Sequence, residues 1–199
     1  MEITVKELQA WLADFAAEIK AKKDYLSELD TPIGDGDHGN NMARGMKAYE
    51  ESLAQQKPAT ISDTFKVLAM ALISKVGGAS GPLYGSAFMN LTKETKDITE
   101  ITSQAQLGNL MAQGLNGIQL RGKAEVGDKT MVDVWSPVVA ALKEENLTVE
   151  KITDAKEATK DLVAKKGRAS YLGERAIGHI DPGAASSALL FETLVATIG

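Results

Sequence analysis

Between Asp30 and Asn41 the chain reads Asp-Thr-Pro-Ile-Gly-Asp-Gly-Asp-His-Gly-Asn-Asn, which places three carboxylates, three glycines and one histidine within twelve residues. Glycine at 34, 36 and 39 lets the backbone take conformations that a Cβ forbids, so Asp35 and Asp37 can converge with Asp30 on one point. Converging carboxylates repel unless a cation joins them. Oxygen ligands without a nearby thiolate favour a hard ion, and a sparse set that leaves room for water and phosphate suits Mg²⁺ better than Ca²⁺. The competing reading is a solvated turn, since Asp and Gly are common turn formers. A calcium hand is excluded: Gly36 stands inside the ligand comb, and no glutamate closes the loop at its twelfth position. The loop therefore points to phosphate chemistry.

Three further polar stretches carry comparable chemistry. Gly77-Gly78-Ala79-Ser80-Gly81-Pro82 offers glycines and unpaired N–H groups at a helix start, an anion cradle. It reads equally as a glycine stop followed by a serine cap, with Pro82 in the first turn. Arg121 to Met131 is densely polar, and Met131 either covers a flat base or belongs to the core. Arg168, after Lys165 and Lys166, either stacks on a base, pairs with phosphate, or is an exposed basic group at a helix end. Asp181-Pro182-Gly183 is first a turn signal. His38 lies among the aspartates, where neighbouring anions favour its protonated, phosphate-donating form; a structural hydrogen bond is the alternative. His179 has only Asp181 nearby and reads as structural.

The elements that must position these stretches are helical. Val5, Leu8, Leu12, Phe15, Ile19 and Leu26 recur at helical spacing, predicting one first helix of about five turns with Trp11 on its packing face. Further helices are predicted over 40–53, 62–76, 80–92, 103–120, 131–145, 153–165 and from 184 to the C-terminus, eight in all. Ser62, Ser80 and Ser103 are candidate N-caps, and Gly77 and Gly167 candidate stops. Pro137 requires either that its helix start near Ser136 or that it kink. No stretch alternates as a strand. The expected fold is an all-α, eight-helix antiparallel bundle or barrel, one domain over 1–199. The four polar connections follow its first, third, fifth and seventh helices, so they share one end and build one site.

Composition narrows the class. The chain has 199 residues, 44% of them hydrophobic, and a net charge of −5, which argues against a nucleic-acid partner. It has no cysteine, hence no disulfide frame, thiol nucleophile or zinc-thiolate site. No signal segment or membrane-length apolar run is present, so a soluble cytoplasmic protein is expected.

Taken together, D-x4-D-G-D-H-G-N-N-M, G-G-A-S-G-P-L-Y-G, R-G-K-A-E-x-G-D-K-T-M and G-R-A-S-Y-L-G-E-R-x-I-G-H-x-D-P-G-A, in this order, resemble the ADP-binding L subunits of bacterial dihydroxyacetone kinases. These are equivalent to the C-terminal nucleotide domain of the single-chain, ATP-dependent enzymes. The resemblance spans nearly the whole chain. It implies an eight-helix barrel with ADP or ATP and two Mg²⁺ at its mouth. It further implies Asp30, Asp35 and Asp37 as metal ligands; His38, Gly39, Asn40, Asn41, Ala79 and Ser80 around the phosphates; and Gly122, Met131, Arg168, Asp181, Pro182 and Gly183 around the rest of the nucleotide. A protein nucleophile is not needed, because phosphoryl transfer relies on positioning and electrostatics.

The same resemblance implies partners. In the phosphotransferase-system type, ADP stays bound, a phosphohistidine-carrying M subunit recharges it, and the γ-phosphoryl passes to dihydroxyacetone held by a histidine of a K subunit. A second reading is a nucleotide-state sensor that binds a transcriptional regulator; a third is a kinase subunit that exchanges ATP. Fatty-acid kinases use a similar module joined to further domains, which this chain is expected to lack. A ligand-binding helical bundle with an inert Asp loop is the remaining rival, and it predicts no effect of Asp35→Ala or Asp37→Ala on ligand binding.

Overall fold

Thr4 opens the first helix with a capping box: its Oγ1 accepts the Lys6 N–H at 3.2 Å, and the Glu7 carboxylate accepts the Thr4 N–H at 3.1 Å. The computed structural model describes all residues, Met1–Gly199. It contains nine α-helices: α1 (Val5–Ala21), α2 (Lys23–Asp30), α3 (His38–Gln56), α4 (Ile61–Lys75), α5 (Ser80–Glu94), α6 (Gln104–Gly122), α7 (Val132–Lys143), α8 (Val149–Ala158) and α9 (Pro182–Ile198). Two 3₁₀ segments, Thr159–Asp161 and Arg168–Ala176, lie between α8 and α9.

The ninth helix comes from a break in the predicted first one. At Lys22 the backbone leaves helical geometry (φ −108°, ψ 15°) for a single residue, so Ile19 and Leu26 keep their phase and the periodicity runs on undisturbed. The break redirects α2 against the start of α3. There Ser27 Oγ accepts the Gly39 N–H at 3.1 Å and the Asn40 N–H at 3.4 Å, and α3 begins at His38 instead of Asn40.

Other boundaries move for local reasons. Thr60 rather than Ser62 caps α4, accepting the Asp63 N–H at 3.0 Å, while Ser62 donates to the Thr92 carbonyl. Ser103 caps α6 as expected, at 3.0 Å from the Gln106 N–H. Ser80 is the first residue of α5 and caps nothing. Helix α7 starts well before Pro137 and runs through it, so the Asp133 carbonyl loses its usual partner four residues on. Thr148 starts α8 earlier than predicted, and the chain leaves α-helical geometry at Thr159. Gly167 (φ +68°) therefore opens a 3₁₀ segment and stops no helix.

Helices adjacent in sequence from α2 to α9 pack side by side, and α1 lies against both α9 and α3, which closes the ring. Trp11 fastens this closure by donating its indole N–H to the Leu190 carbonyl at 2.8 Å. Inside, Phe65, Phe88, Trp135 and Phe191 pack in series, the last two edge to face at 5.0 Å. Each such side chain stabilises the fold by about 1.5–3 kcal/mol through burial, so the ring is held by its interior and its end loops are free to serve chemistry. No helix is long and apolar enough to cross a membrane.

Candidate functional site

The connections after α2, α4, α6 and α8 meet at one end of the ring, around a cleft of about 490 Å³. That volume suits a nucleotide-sized ligand. Asp30, the last residue of α2, anchors its floor: one carboxylate oxygen accepts the N–H groups of Asp37 at 3.0 Å and His38 at 3.2 Å, folding the intervening loop back on itself. Gly34 is required for this fold, because a Cβ there would lie 2.0 Å from Asp30 Oδ1. Gly36 adopts φ +74°. As a result, carboxylate oxygens of Asp30, Asp35 and Asp37 lie within 4.8 Å of one another.

The electrostatics of this cluster suit a cation. Burial raises the Asp30 pKa above the ordinary carboxylate value; the two backbone donors offset part of that rise, and repulsion from Asp35 and Asp37 adds to it. Hard oxygen donors at this spacing, with Asp35 and Asp37 exposed, fit Mg²⁺ with water and phosphate completing its shell. Arg168 reaches across from the 3₁₀ segment and pairs with Asp35 at 2.6 Å. An exposed pair of this kind is worth about 0–1 kcal/mol, so it yields easily to a competing ion.

Beside the carboxylates, α5 presents its first turn with no side-chain cap, after a connection in which Gly78 takes φ +67°. Its free N–H groups and dipole make that end receptive to phosphate oxygens. Ile33, Leu83, Ile118 and Met131 supply apolar lining to the cleft. Met131 is buried in the core and also lines the cleft. Gly122 approaches Leu83 so closely that a Cβ would lie 2.8 Å from its Cδ2. Asp181 caps α9 through the Ala184 N–H at 2.8 Å, with Pro182 in the first turn. Burial pushes the Asp181 carboxyl up to about 7.

Of the residues named from sequence, Asp30, Asp35, Asp37, His38, Asn41, Ala79, Ser80, Gly122, Met131, Arg168, Asp181, Pro182 and Gly183 all line this cleft. Gly39 and Asn40 do not. Gly39 is buried at a helix crossing where a Cβ would meet the Lys23 carbonyl at 1.7 Å, and both N–H groups are spent on Ser27. For His38 the contacts match the second of its two readings, a structural hydrogen bond. Its ring turns away from the aspartates into the interior, between Ser80 Oγ at 3.2 Å and Ser186 Oγ at 2.9 Å. Burial drives its pKa down to about 4, so the imidazole is neutral and not the phosphate-donating cation.

Sequence reasoning missed Lys129. Its side chain is fully buried and donates to the carbonyls of Thr159 and His179, tying the 3₁₀ region to the connection after α6. Its neighbours in Gly-Asp-Lys-Thr-Met hinted at density, but no spacing rule marks a lysine for burial.

This geometry agrees with four likenesses. The DAK2 domain model matches residues 32–196. The PEP-dependent dihydroxyacetone kinase 1, ADP-binding subunit DhaL, of Listeria innocua is 52% identical over 187 residues, covering 94% of this chain and 93% of that protein. The PTS-dependent dihydroxyacetone kinase, ADP-binding subunit DhaL, of Lactococcus lactis is 50% identical over 199 residues, covering 98% and 99%. The crystal structure of the dihydroxyacetone kinase from C. freundii in complex with AMP-PNP and Mg²⁺ shares the fold: TM-score 0.73 at 24% identity, over 94% of this chain and 33% of that one. Matched along most of its length by the family model and identical to two relatives at half or more of the aligned positions, the chain belongs to the DAK2 domain family, among the DhaL subunits of the dihydroxyacetone kinases.

Proposed function

We propose that this chain is the nucleotide-carrying phosphotransferase subunit of a dihydroxyacetone kinase. In this reading its bound ADP is phosphorylated to ATP by a phosphohistidine-carrying M subunit, and the γ-phosphoryl passes to dihydroxyacetone on a separate K subunit. One observation carries it: three carboxylates within 4.8 Å of one another share a cleft with the uncapped start of α5. The names of the relatives supply the substrate and the energy source.

Asp30, Asp35 and Asp37 would hold two Mg²⁺, which would supply positive charge to neutralise the phosphates. The chain's own part is positional. Asp30, braced by two backbone donors, holds one carboxylate oxygen still, while exposed Asp35 and Asp37 adjust around it. Ala79 and Ser80 offer the α5 start to the phosphates, and Asn41 and His38 back that surface. Gly122, Met131 and the Asp181–Gly183 turn face the base and sugar, with Arg168 at the rim. Because phosphate enters and leaves at one mouth, both partner subunits must reach the same rim in turn. We further propose that residues 1–199 act as one nucleotide-binding domain in the cytoplasm, and that a transcriptional regulator reading the nucleotide state would dock at this rim too.

The test is transfer in a reconstituted system. Incubation with the phosphorylated M subunit should convert the chain's bound ADP to ATP, and dihydroxyacetone phosphate should form only when the K subunit is added. Transfer from free ATP with no response to the M subunit would instead make it an ATP-exchanging kinase subunit. Nucleotide binding without transfer to the K subunit would make it a sensor.

A further inference from the structure

Beneath the α5 start a file of buried polar side chains runs from the core to the cleft. Trp135 Nε1 lies 3.1 Å from Ser187 Oγ, Ser187 Oγ 2.8 Å from Tyr84 OH, and Tyr84 OH 2.6 Å from Ser186 Oγ. Ser186 Oγ then meets His38 Nε2 at 2.9 Å, and His38 Nδ1 meets Ser80 Oγ at 3.2 Å. Trp135, Tyr84, Ser186 and Ser187 have no exposed surface, while Ser80 is half-buried and lines the cleft.

The direction of this file follows from its inner end. An indole N–H can only donate, so Ser187 accepts from Trp135. The single Ser187 proton then has Tyr84 as its partner. Tyr84, having accepted, gives its own proton to Ser186 at 2.6 Å in preference to the Gly183 carbonyl at 3.5 Å. Ser186 has two acceptors in reach, His38 Nε2 at 2.9 Å and the Gly183 carbonyl at 3.2 Å, and the shorter contact carries the proton to histidine. An imidazole that accepts on Nε2 carries its proton on Nδ1 and donates it to Ser80.

We propose that Tyr84, Ser186 and Ser187 are positioning residues of the phosphate site. With Trp135 they form a one-way hydrogen-bond chain that holds His38 as its Nδ1–H tautomer and turns the Ser80 hydroxyl proton outward, toward a phosphate oxygen. The proposal rests on the nucleotide reading for the identity of that acceptor, but the tautomer is a property of the chain alone.

The test uses ¹⁵N-labelled, nucleotide-free protein. With two histidines in the sequence, comparison with His179→Gln assigns the His38 signals in a long-range ¹H–¹⁵N correlation spectrum. The expected pattern is a protonated Nδ1 and a bare Nε2; a protonated Nε2 would overturn the proposal. In Tyr84→Phe, Ser186 loses its donor and is free to accept from His38, so Nε2–H should gain population. Binding of ADP with Mg²⁺ should weaken about tenfold, the scale of one hydrogen bond to a charged acceptor. Ser187→Ala, a smaller change, should move both readouts in the same direction if Tyr84→Phe does not fold. A lower melting temperature with unchanged tautomer and affinity in these variants would mean that the hydroxyls only pack, and would also overturn it. Failure of the wild type to bind ADP with Mg²⁺ would refute the nucleotide reading and with it the role of Ser80, whatever the tautomer.

Discussion

The two rims of the cleft are built by different means. On one side, the loop from Asp30 to His38 is pinned at both ends by helices, held through Asp30, and locked by glycines at which a Cβ would collide with its neighbours. On the other, the segment between α8 and α9 has short 3₁₀ turns and packs the buried Ala164, Ala169 and Ala176 against Ile33 of the first loop. Its glycines 167, 173 and 178 have open space where a Cβ would go. Lys129 ties it to the connection after α6. The rim that meets charge is over-determined, whereas the rim that covers the rest is held at few points. Substitutions should divide accordingly.

The largest effect is expected on the charged rim. Asp37→Ala should weaken Mg²⁺-dependent nucleotide binding by roughly 100-fold or more, above the range for outer-shell partners, while metal-free stability holds because a repelling carboxylate is gone. Calorimetric titration with and without Mg²⁺ checks it; equal affinities would remove the metal from this rim. Next comes the fastening of the opposite rim. Lys129→Met should cost about 2–4 kcal/mol in urea unfolding, since it strips two buried carbonyls of a charged donor. Nucleotide affinity should fall with it.

A pair of glycine substitutions sharpens the contrast. Gly34→Ala forces Asp30 aside, because the new methyl would stand 2.0 Å from its oxygen, so Mg²⁺ affinity should drop several-fold. Gly167→Ala meets no atom and pays only for its backbone conformation (φ +68°, ψ −166°), about 1–3 kcal/mol of stability, with metal affinity unchanged. Similar losses of metal affinity in both would erase the distinction.

Asp181 adds a pH signature. Its folded pKa of about 7 exceeds the unfolded value of about 3.9, so the folded state binds the extra proton between them. Stability from this group is therefore full below about pH 4 and declines as pH rises toward 7 and beyond. Asp181→Asn keeps the cap on α9 and should flatten that part of the curve; urea midpoints at pH 5 and 8 in nucleotide-free protein, about three pH units apart, measure it. The smallest effect belongs to Arg168→Ala, under about 1 kcal/mol in stability, as befits an exposed ion pair.

These contrasts also explain what a reader of the sequence can and cannot see. The Asp30 to Asp37 loop was legible because its chemistry is local: closely spaced carboxylates and the glycines that fold them lie together in the chain. The α6 start at Ser103 was legible for the same reason. Lys22 was not, because a one-residue break leaves helical phase intact. Nor was the orientation of His38, which depends on Ser186, 148 residues away, nor the burial of Lys129, whose acceptors are backbone carbonyls that no side-chain pattern announces. Gly39 looked like a phosphate contact and serves a helix crossing, since a glycine needed for close packing and one needed for a ligand read alike.

The most direct measurement is to denature the purified protein, identify any released nucleotide by mass, and assay magnesium alongside, for both wild type and Asp37→Ala. A resident Mg²⁺–nucleotide site predicts nearly stoichiometric ADP and magnesium from the wild type and little of either from the variant. A wild type that releases neither, and that takes up added ADP equally well with and without Mg²⁺, would contradict it.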